Sequence, residues 1–245
     1  MNELQLNLNN RKLWAIIPAA GSGNRFSKTQ LKQYQTIQEK TVIEHTVHRL
    51  NELPLTAYVL AIAENDDFAQ TLKFENPEKA MYCHGGQERV NSVLNALNFL
   101  TDFADPNDLV FVHDAARPCV STENLIELVQ TAINENCSAI LATPVRDTLK
   151  RVPKLINSED ENSIETTVSR DELWQAQTPQ ISTIGLLKSS IEQALKNEIT
   201  ITDEASALEY MGEKVKVVMG RSDNIKITYP EDLDLARLII QSQNI

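Results

Sequence analysis

A chain of 245 residues, 42% of them hydrophobic, is long enough to bury one sizeable α/β core. Its net charge of −11 argues against nonspecific nucleic-acid binding, which draws on surplus Lys and Arg, but permits a polyanionic small substrate where cations gather locally. No apolar stretch reaches the about 20 residues of a membrane span, and the polar, Asn-rich start lacks the apolar run of a secretory signal. A soluble protein with no membrane or nucleic-acid partner is expected, with residues 1–12 as a frayed tail. Cys83, Cys119 and Cys137 are odd in number and show no metal-ligand spacing, which fits a reducing, cytoplasmic location.

In chain order, Leu13-Trp14-Ala15-Ile16-Ile17 reads as a buried strand running into a Gly-containing turn. A helix is predicted from Thr41, with Glu44 completing a capping box and Ile43, Val47 and Leu50 on one face. Strand Tyr58–Ile62 follows, then a helix with Val90, Val93, Leu94 and Leu97 on one side. Strand Leu109–Val112, a helix bearing Leu125, Leu128, Val129 and Ile133, and strand Ala139–Ala142 continue the alternation. Residues 147–152 and 163–168 are expected to pair as a hairpin that packs on something, since an isolated hairpin is marginal in water. A last strand, Val215–Val218, precedes a helix near Pro230 with Glu231 and Asp232 in its first turn. The pattern predicts an α/β, Rossmann-like fold, a mostly parallel twisted sheet flanked by helices on both faces.

The most informative segment is Ala19-Ala20-Gly21-Ser22-Gly23-Asn24-Arg25, with Lys32 beyond it. Small residues after a strand let backbone amides approach phosphate, and Arg25 and Lys32 add positive charge. Phe26 takes the place of the third small residue of a dinucleotide fingerprint, and the Gly-Lys-Ser/Thr of a Walker loop is absent. Phosphate binding is therefore favoured over a purely structural turn.

Other segments admit two readings each. Asp114, just past a buried strand, suits a Mg²⁺ ion held by phosphates, but equally a helix cap or a partner for Arg117. Gly85-Gly86, with Ser92, could hold a base or ribose or simply begin a helix. Asp223 and Lys226 read as a metal ligand and a phosphate contact, or as a surface salt bridge at a strand edge. His45 and His48 are expected on a solvated face, His113 in packing, and the cysteines as buried apolar groups.

Taken together, these segments resemble the cytidylyltransferase family of isoprenoid precursor synthesis. The resemblance runs from about Leu13 to Leu238. It rests on Pro18-Ala19-Ala20-Gly21-x-Gly23-x-Arg25, Lys32-Gln33-Tyr34, Gly85-Gly86-x-x-Arg89-x-x-Ser92, His113-Asp114-Ala115-Ala116-Arg117-Pro118, Asp147-Thr148-Leu149-Lys150, Thr178-Pro179-Gln180, Thr202-Asp203-Glu204-Ala205-Ser206 and Asp223-Asn224-Ile225-Lys226. Leu31 and Phe26 depart from the family pattern, where Pro and Met are usual.

The resemblance implies a single nucleotidyltransferase domain over residues 1–245, with a hairpin arm at about 145–170 that joins two subunits. The implied reaction is transfer of a cytidylyl group from CTP to 2-C-methyl-D-erythritol 4-phosphate, with another polyol phosphate such as ribitol 5-phosphate as the alternative acceptor. By carry-over, Arg25, Lys32, Arg170 and Lys226 are catalytic. Pro18, Ala19, Ala20, Gly21, Ser22, Gly23, Gly85, Gly86, Arg89, Ser92 and Ala115 bind CTP. Thr148, Arg170, Thr178 and Lys226 meet the acceptor, and Asp114 with Asp223 holds Mg²⁺ or another divalent cation. A nicotinamide-dependent reductase is disfavoured by Phe26 and the two cations near the loop, and a non-catalytic nucleotide sensor by the full set of charged positions.

Overall fold

The computed structural model describes residues 6–21, 26, 31–152 and 163–243. Seven strands form the central sheet: β1 (Leu13–Pro18), β4 (Ala57–Ile62), β5 (Ala80–His84), β6 (Leu109–Val112), β7 (Ser138–Pro144), β10 (Trp174–Thr183) and β11 (Val215–Met219), in the order β11-β7-β10-β6-β1-β4-β5. Short pairs β2 (Thr36–Ile37) with β3 (Lys40–Thr41), and β8 (Leu149–Arg151) with β9 (Thr166–Val168), lie outside it. The helices are α1 (Val42–Leu50), α2 (Arg89–Leu100), α3 (Thr122–Asn134), α4 (Ile184–Lys196), α5 (Glu204–Tyr210) and α6 (Glu231–Gln243). None is long and apolar enough to cross a membrane.

The continuous apolar runs of β1 and β4 are explained by burial on both faces. Leu13, Ala15, Ile17, Tyr58 and Leu60 pack with Ile43 and Val47 of α1 and Leu125 and Leu128 of α3. Trp14, Ile16, Val59 and Ala61 pack on the other face with Val93 and Leu97 of α2 and Leu187 and Ile191 of α4. Strands β1, β4, β5 and β6 are mutually parallel, as are β7 and β11, whereas β10 runs antiparallel between β6 and β7. The mixed, mostly parallel sheet matches the expected fold class. A third cluster, Ile37, Val42, Ala116, Cys119, Ile227, Ala236 and Ile240, binds α6 and the segment before it to the end of the sheet.

Local expectations hold at α1, where the Thr41 hydroxyl accepts the Glu44 N–H at 3.3 Å and the Glu44 carboxylate accepts the Thr41 N–H at 2.6 Å. The predicted hairpin forms with Leu149 opposite Val168 and Arg151 opposite Thr166, its tip lying outside the described residues. Burial raises the thiols of Cys83, to about 11, and of Cys119, to about 12, away from the reactive range.

One expectation fails. His45 is buried rather than solvated, its Nε2–H donating to the Ile37 carbonyl at 2.9 Å, because the β2–β3 pair folds over that side of α1. Residues 225–228 form no strand; the Ile227 N–H donates to the Ala116 carbonyl in the loop after β6 at 2.9 Å.

Candidate active site

A pocket of about 350 Å³ opens beyond the carboxyl ends of the parallel strands β1 and β6, the usual ligand edge of such sheets. Its walls are the end of β1 from Pro18 to Gly21, the turn bearing Lys32 and Gln33, the start of α2, residues 114–116, and Lys226 with Thr228.

The Gly-rich side is held by close backbone approach. Ala19 donates to the Ala61 carbonyl at 2.8 Å, extending the sheet pairing past Pro18. The buried Gln33 amide donates to the Ala19 carbonyl at 2.9 Å, which ties the Lys32 turn to the end of β1. Gly85 donates to the Ile62 carbonyl at 2.7 Å, and a Cβ there would stand 2.3 Å from the Ala20 methyl. The Gly86 N–H reaches the Ser92 hydroxyl at 2.9 Å, so that hydroxyl fastens the turn to α2.

The loop after β6 is set by a chain of bonds with one consistent proton order. The Arg117 carbonyl can only accept, so His113 donates to it from Nε2 at 3.0 Å. Nδ1 of His113 then accepts from the Thr178 hydroxyl at 3.0 Å, and the Thr178 oxygen accepts the Asp114 N–H at 3.0 Å. Burial pushes the pKa of His113 down to about 4, so the ring is neutral and committed to positioning.

Asp114 is the electrostatic centre. Its Oδ1 accepts from Arg89 Nε at 2.9 Å, and its Oδ2 lies 2.7 Å from Lys226 Nζ and 3.7 Å from Arg117 Nε. Burial opposes its ionisation, but Arg89, then Lys226 and Arg117, outweigh that and hold the carboxyl well below the usual carboxylate range. The other nitrogens of Arg89 fork onto Glu204 at 2.7 and 3.1 Å. Burial opposes the Arg89 charge too, yet Glu204 and Asp114 raise its pKa.

Lys226 is placed from both sides. Ile227 donates to the Ala116 carbonyl at 2.9 Å, Arg117 to the Asn224 carbonyl at 2.7 Å, and Asn224 to the Thr178 carbonyl at 3.0 Å. Lys32 Nζ reaches the Ile227 carbonyl at 2.8 Å, so both lysines stand in one pocket.

Of the residues singled out from sequence, Pro18, Ala19, Ala20, Gly21, Lys32, Gly86, Arg89, Ser92, Asp114, Ala115 and Lys226 line this pocket. Gly85 packs directly behind it. Ser22, Gly23 and Arg25 lie outside the described residues. Thr178 sits behind the wall, buried, with its hydroxyl spent on His113 and Asp114. Asp223 is not in the wall; it pairs with Arg221 at 2.6 Å. Thr148 and Arg170 are exposed on the arm, away from this pocket, with Arg170 bonded to the Arg146 carbonyl. Nothing in the sequence alone gives Gln33 or Glu204 a role, or Arg117 one beyond pairing with Asp114. The Lys32-Gln33-Tyr34 and Asp203-Glu204 blocks marked the places, but no local pattern reports a partner 115 residues away.

Among the described residues, no three His, Cys, Asp or Glu side chains gather into a metal cage. Mg²⁺ generally keeps several waters and takes one or two carboxylates with substrate phosphates. Asp114 offers one carboxylate in the pocket wall, with its oxygens held by Arg89 and Lys226.

The model of the 2-C-methyl-D-erythritol 4-phosphate cytidylyltransferase (IspD) family matches residues 13–242. The chain belongs to this family. It is 66% identical to the cytidylyltransferase of that name from Acinetobacter baumannii strain SDF over the full length of both chains. The same-named protein of Photobacterium profundum is 45% identical, covering 94% of this chain and 97% of its own. The crystal structure of the Francisella tularensis 2-C-methyl-D-erythritol 4-phosphate cytidylyltransferase superposes with a TM-score of 0.78 at 37% identity, covering 93% of this chain and 99% of that one. The chain is therefore a cytidylyltransferase, a nucleotidyltransferase of isoprenoid precursor synthesis. For such an enzyme the pocket has the needed character. An acidic protein sets Arg89, Arg117 and Lys226 around the Asp114 carboxylate, with Lys32 and Gly21 in the same pocket.

Proposed function

We propose that this pocket binds CTP, and that the chain, as one catalytic domain, transfers its cytidylyl group to 2-C-methyl-D-erythritol 4-phosphate. The observation that carries this reading is the meeting of Lys32 and Lys226 in one pocket with the glycine-rich turn and Asp114.

An acceptor phosphate oxygen attacks the α-phosphorus of CTP. The new P–O bond forms as the bond to the bridging α–β oxygen breaks, and pyrophosphate leaves. The attacking oxygen is already ionised at neutral pH, so no general base is required. That agrees with a His113 whose two nitrogens are both engaged in holding the loop. The remaining tasks are alignment and stabilisation of charge at phosphorus.

Gly21 faces the triphosphate, and Lys32, together with Arg25, stabilises the charge that develops on the pyrophosphate. Gly85, Gly86, Ser92 and Ala115 shape the nucleoside side. Lys226 positions the acceptor phosphate. Asp114 and Asp223 would hold Mg²⁺ or another divalent cation. The bound ion supplies further neutralisation of phosphate charge. Two subunits join through the hairpin arm, and Thr148 and Arg170 serve the acceptor from there. The cytoplasm is the expected location.

The test is pyrophosphate release with CTP, Mg²⁺ and either 2-C-methyl-D-erythritol 4-phosphate or ribitol 5-phosphate. Release with the first and not the second is expected. Equal or better use of ribitol 5-phosphate would overturn the acceptor assignment.

A further inference from the structure

Lys32, Gln33 and Tyr34 make one 3₁₀ turn, and each is fastened to a different part of the protein. Such a turn has about three residues per revolution, so successive side chains leave it in widely different directions. Lys32 enters the pocket, its Nζ reaching the Ile227 carbonyl at 2.8 Å. The Gln33 amide donates to the Ala19 carbonyl, at the end of β1, at 2.9 Å. Tyr34 donates its hydroxyl to Asp66 Oδ2 at 2.5 Å, and its ring lies against Phe68 with centroids 4.8 Å apart.

Asp66 is itself held, in the loop just past β4. Its N–H donates to the Ala63 carbonyl at 3.2 Å, and its other oxygen accepts the Ala69 N–H at 3.2 Å. Burial, then the Asp66 carboxylate, raises the Tyr34 hydroxyl above its ordinary 10.0, so it stays protonated and donates. A hydroxyl on a carboxylate makes the short, strong kind of hydrogen bond. Strands β1 and β4 are parallel neighbours, so the turn is pinned beyond the carboxyl ends of both. A single bond is a hinge; the second anchor removes the freedom to tilt.

Neither Tyr34 nor Asp66 lines the pocket. We infer that Tyr34 is a positioning residue for cytidylyl transfer: its hydroxyl, anchored on Asp66, fixes the tilt of the turn and with it the place of the Lys32 ammonium. Without that hydroxyl the ring keeps Phe68 and Gln33 keeps Ala19, but the turn can rock, and Lys32 strays from the departing pyrophosphate. Misplacing a group that acts in the transition state lowers turnover more than it weakens substrate binding.

Because this role works through Lys32, it rests on Lys32 stabilising the pyrophosphate. The experiment measures pyrophosphate release by the full chain at saturating CTP and Mg²⁺, with the acceptor varied. In Tyr34→Phe, kcat is expected to fall on the order of 10-fold with KM for the acceptor unchanged, a smaller loss than removing the Lys32 charge itself. In a Lys32→Ala background the same change should cost nothing further, since the group it positions is gone. Wild-type kcat in Tyr34→Phe would overturn the inference. So would a full second loss in the double variant, which is what a merely structural role predicts. Should Tyr34→Phe not fold, Asp66→Ser decides: it still caps the Ala69 N–H but is too short to reach Tyr34. The same fall in kcat is expected, and an unchanged kcat counts against the idea. Lys32→Ala alone separates the two claims. If it turns over like the wild type, the role of Lys32 fails and this one with it, whereas a slow Lys32→Ala beside a normal Tyr34→Phe removes only Tyr34.

Discussion

Lys226 Nζ and Asp114 Oδ2 stand 2.7 Å apart, on segments separated by nearly half the chain. The ammonium is about one-third exposed while the carboxylate is nearly buried, so the pair sits at the pocket boundary with the cation on the wetter side. Replacing Lys226 by Met removes the charge proposed to receive the acceptor phosphate but leaves Asp114 with Arg89 and Arg117. The ratio kcat/KM for 2-C-methyl-D-erythritol 4-phosphate is expected to fall on the order of 10²-fold, the scale of one lost charge donor. Calorimetry should show CTP binding largely kept. Loss of CTP affinity with normal use of the acceptor would reverse the assignment.

Lys32 shares the pocket wall with Gly21, its segment tied to the end of β1 by the Gln33 bond to Ala19. Lys32→Ala is expected to lower turnover on the order of 10²-fold or more, because the charge it neutralises grows as pyrophosphate departs. Arg25→Ala should do the same, by its position in sequence just after the small residues Gly21 to Gly23. Turnover near that of the wild type in either variant would remove that residue from the catalytic set.

Gly85 packs against Ala20 and Ser92 with no room for a side chain. Gly85→Ala drives a methyl to 2.3 Å from the Ala20 Cβ, and one of the two segments must move. A loss of about 1–3 kcal/mol of stability is expected, as for other overpacked sites, together with weakened CTP binding. Thermal unfolding and calorimetry would read both, and a fully stable variant with normal CTP affinity would show that the contact is dispensable.

Burial lowers the pKa of His45 from its ordinary 6.5, with Lys40, His48 and Arg49 adding to the effect against the opposing bond to Ile37. The unfolded chain therefore takes up the proton first. The stabilisation is complete above about pH 6.5 and is lost as pH falls from there through the folded-state value. His45→Gln keeps a donor for the Ile37 carbonyl but cannot titrate. The stability of the wild type relative to this variant should shrink between pH 7.5 and 5.5 in urea titrations. A gap that widened on acidification would have the wrong sign.

Arg170 lies on the exposed arm, remote from the pocket of its own chain. If the arm completes a neighbouring subunit's site, Arg170→Ala raises KM for the acceptor without changing CTP affinity. Mixing it with a Lys226→Met protein that has lost its own acceptor contact should restore part of the activity through hybrid dimers. No recovery on mixing, with the dimer intact, would place Arg170 elsewhere.

Some of this architecture is legible because its cause is local. The apolar run of β1 announces a strand buried on both faces, and Thr41 with Glu44 announces the start of α1. By contrast, β10 escapes periodicity altogether. It is buried from Gln177 to Ser182 but carries Gln, Thr and Ser there, since those side chains are satisfied by partners from elsewhere. Gln177 reaches the Arg221 carbonyl, Gln180 reaches the start of α5, and Ser182 meets Ser138. A buried polar strand looks like a loop until its partners are in place.

The amino-acid order alone determined which groups the protein owns: a small-residue turn after a buried strand, lysines and arginines at spaced positions in an acidic chain, and a carboxylate at a strand end. Strand hydrophobicity, helix caps and glycine turns act over a few residues, so they can be read along the line. Only the folded arrangement decided that Arg89 is divided between Asp114 and Glu204, that Thr178 and His113 hold a loop, and that Asp223 faces Arg221. Charges interact through space with a strength set by distance and burial, and neither quantity exists until segments a hundred residues apart are packed together.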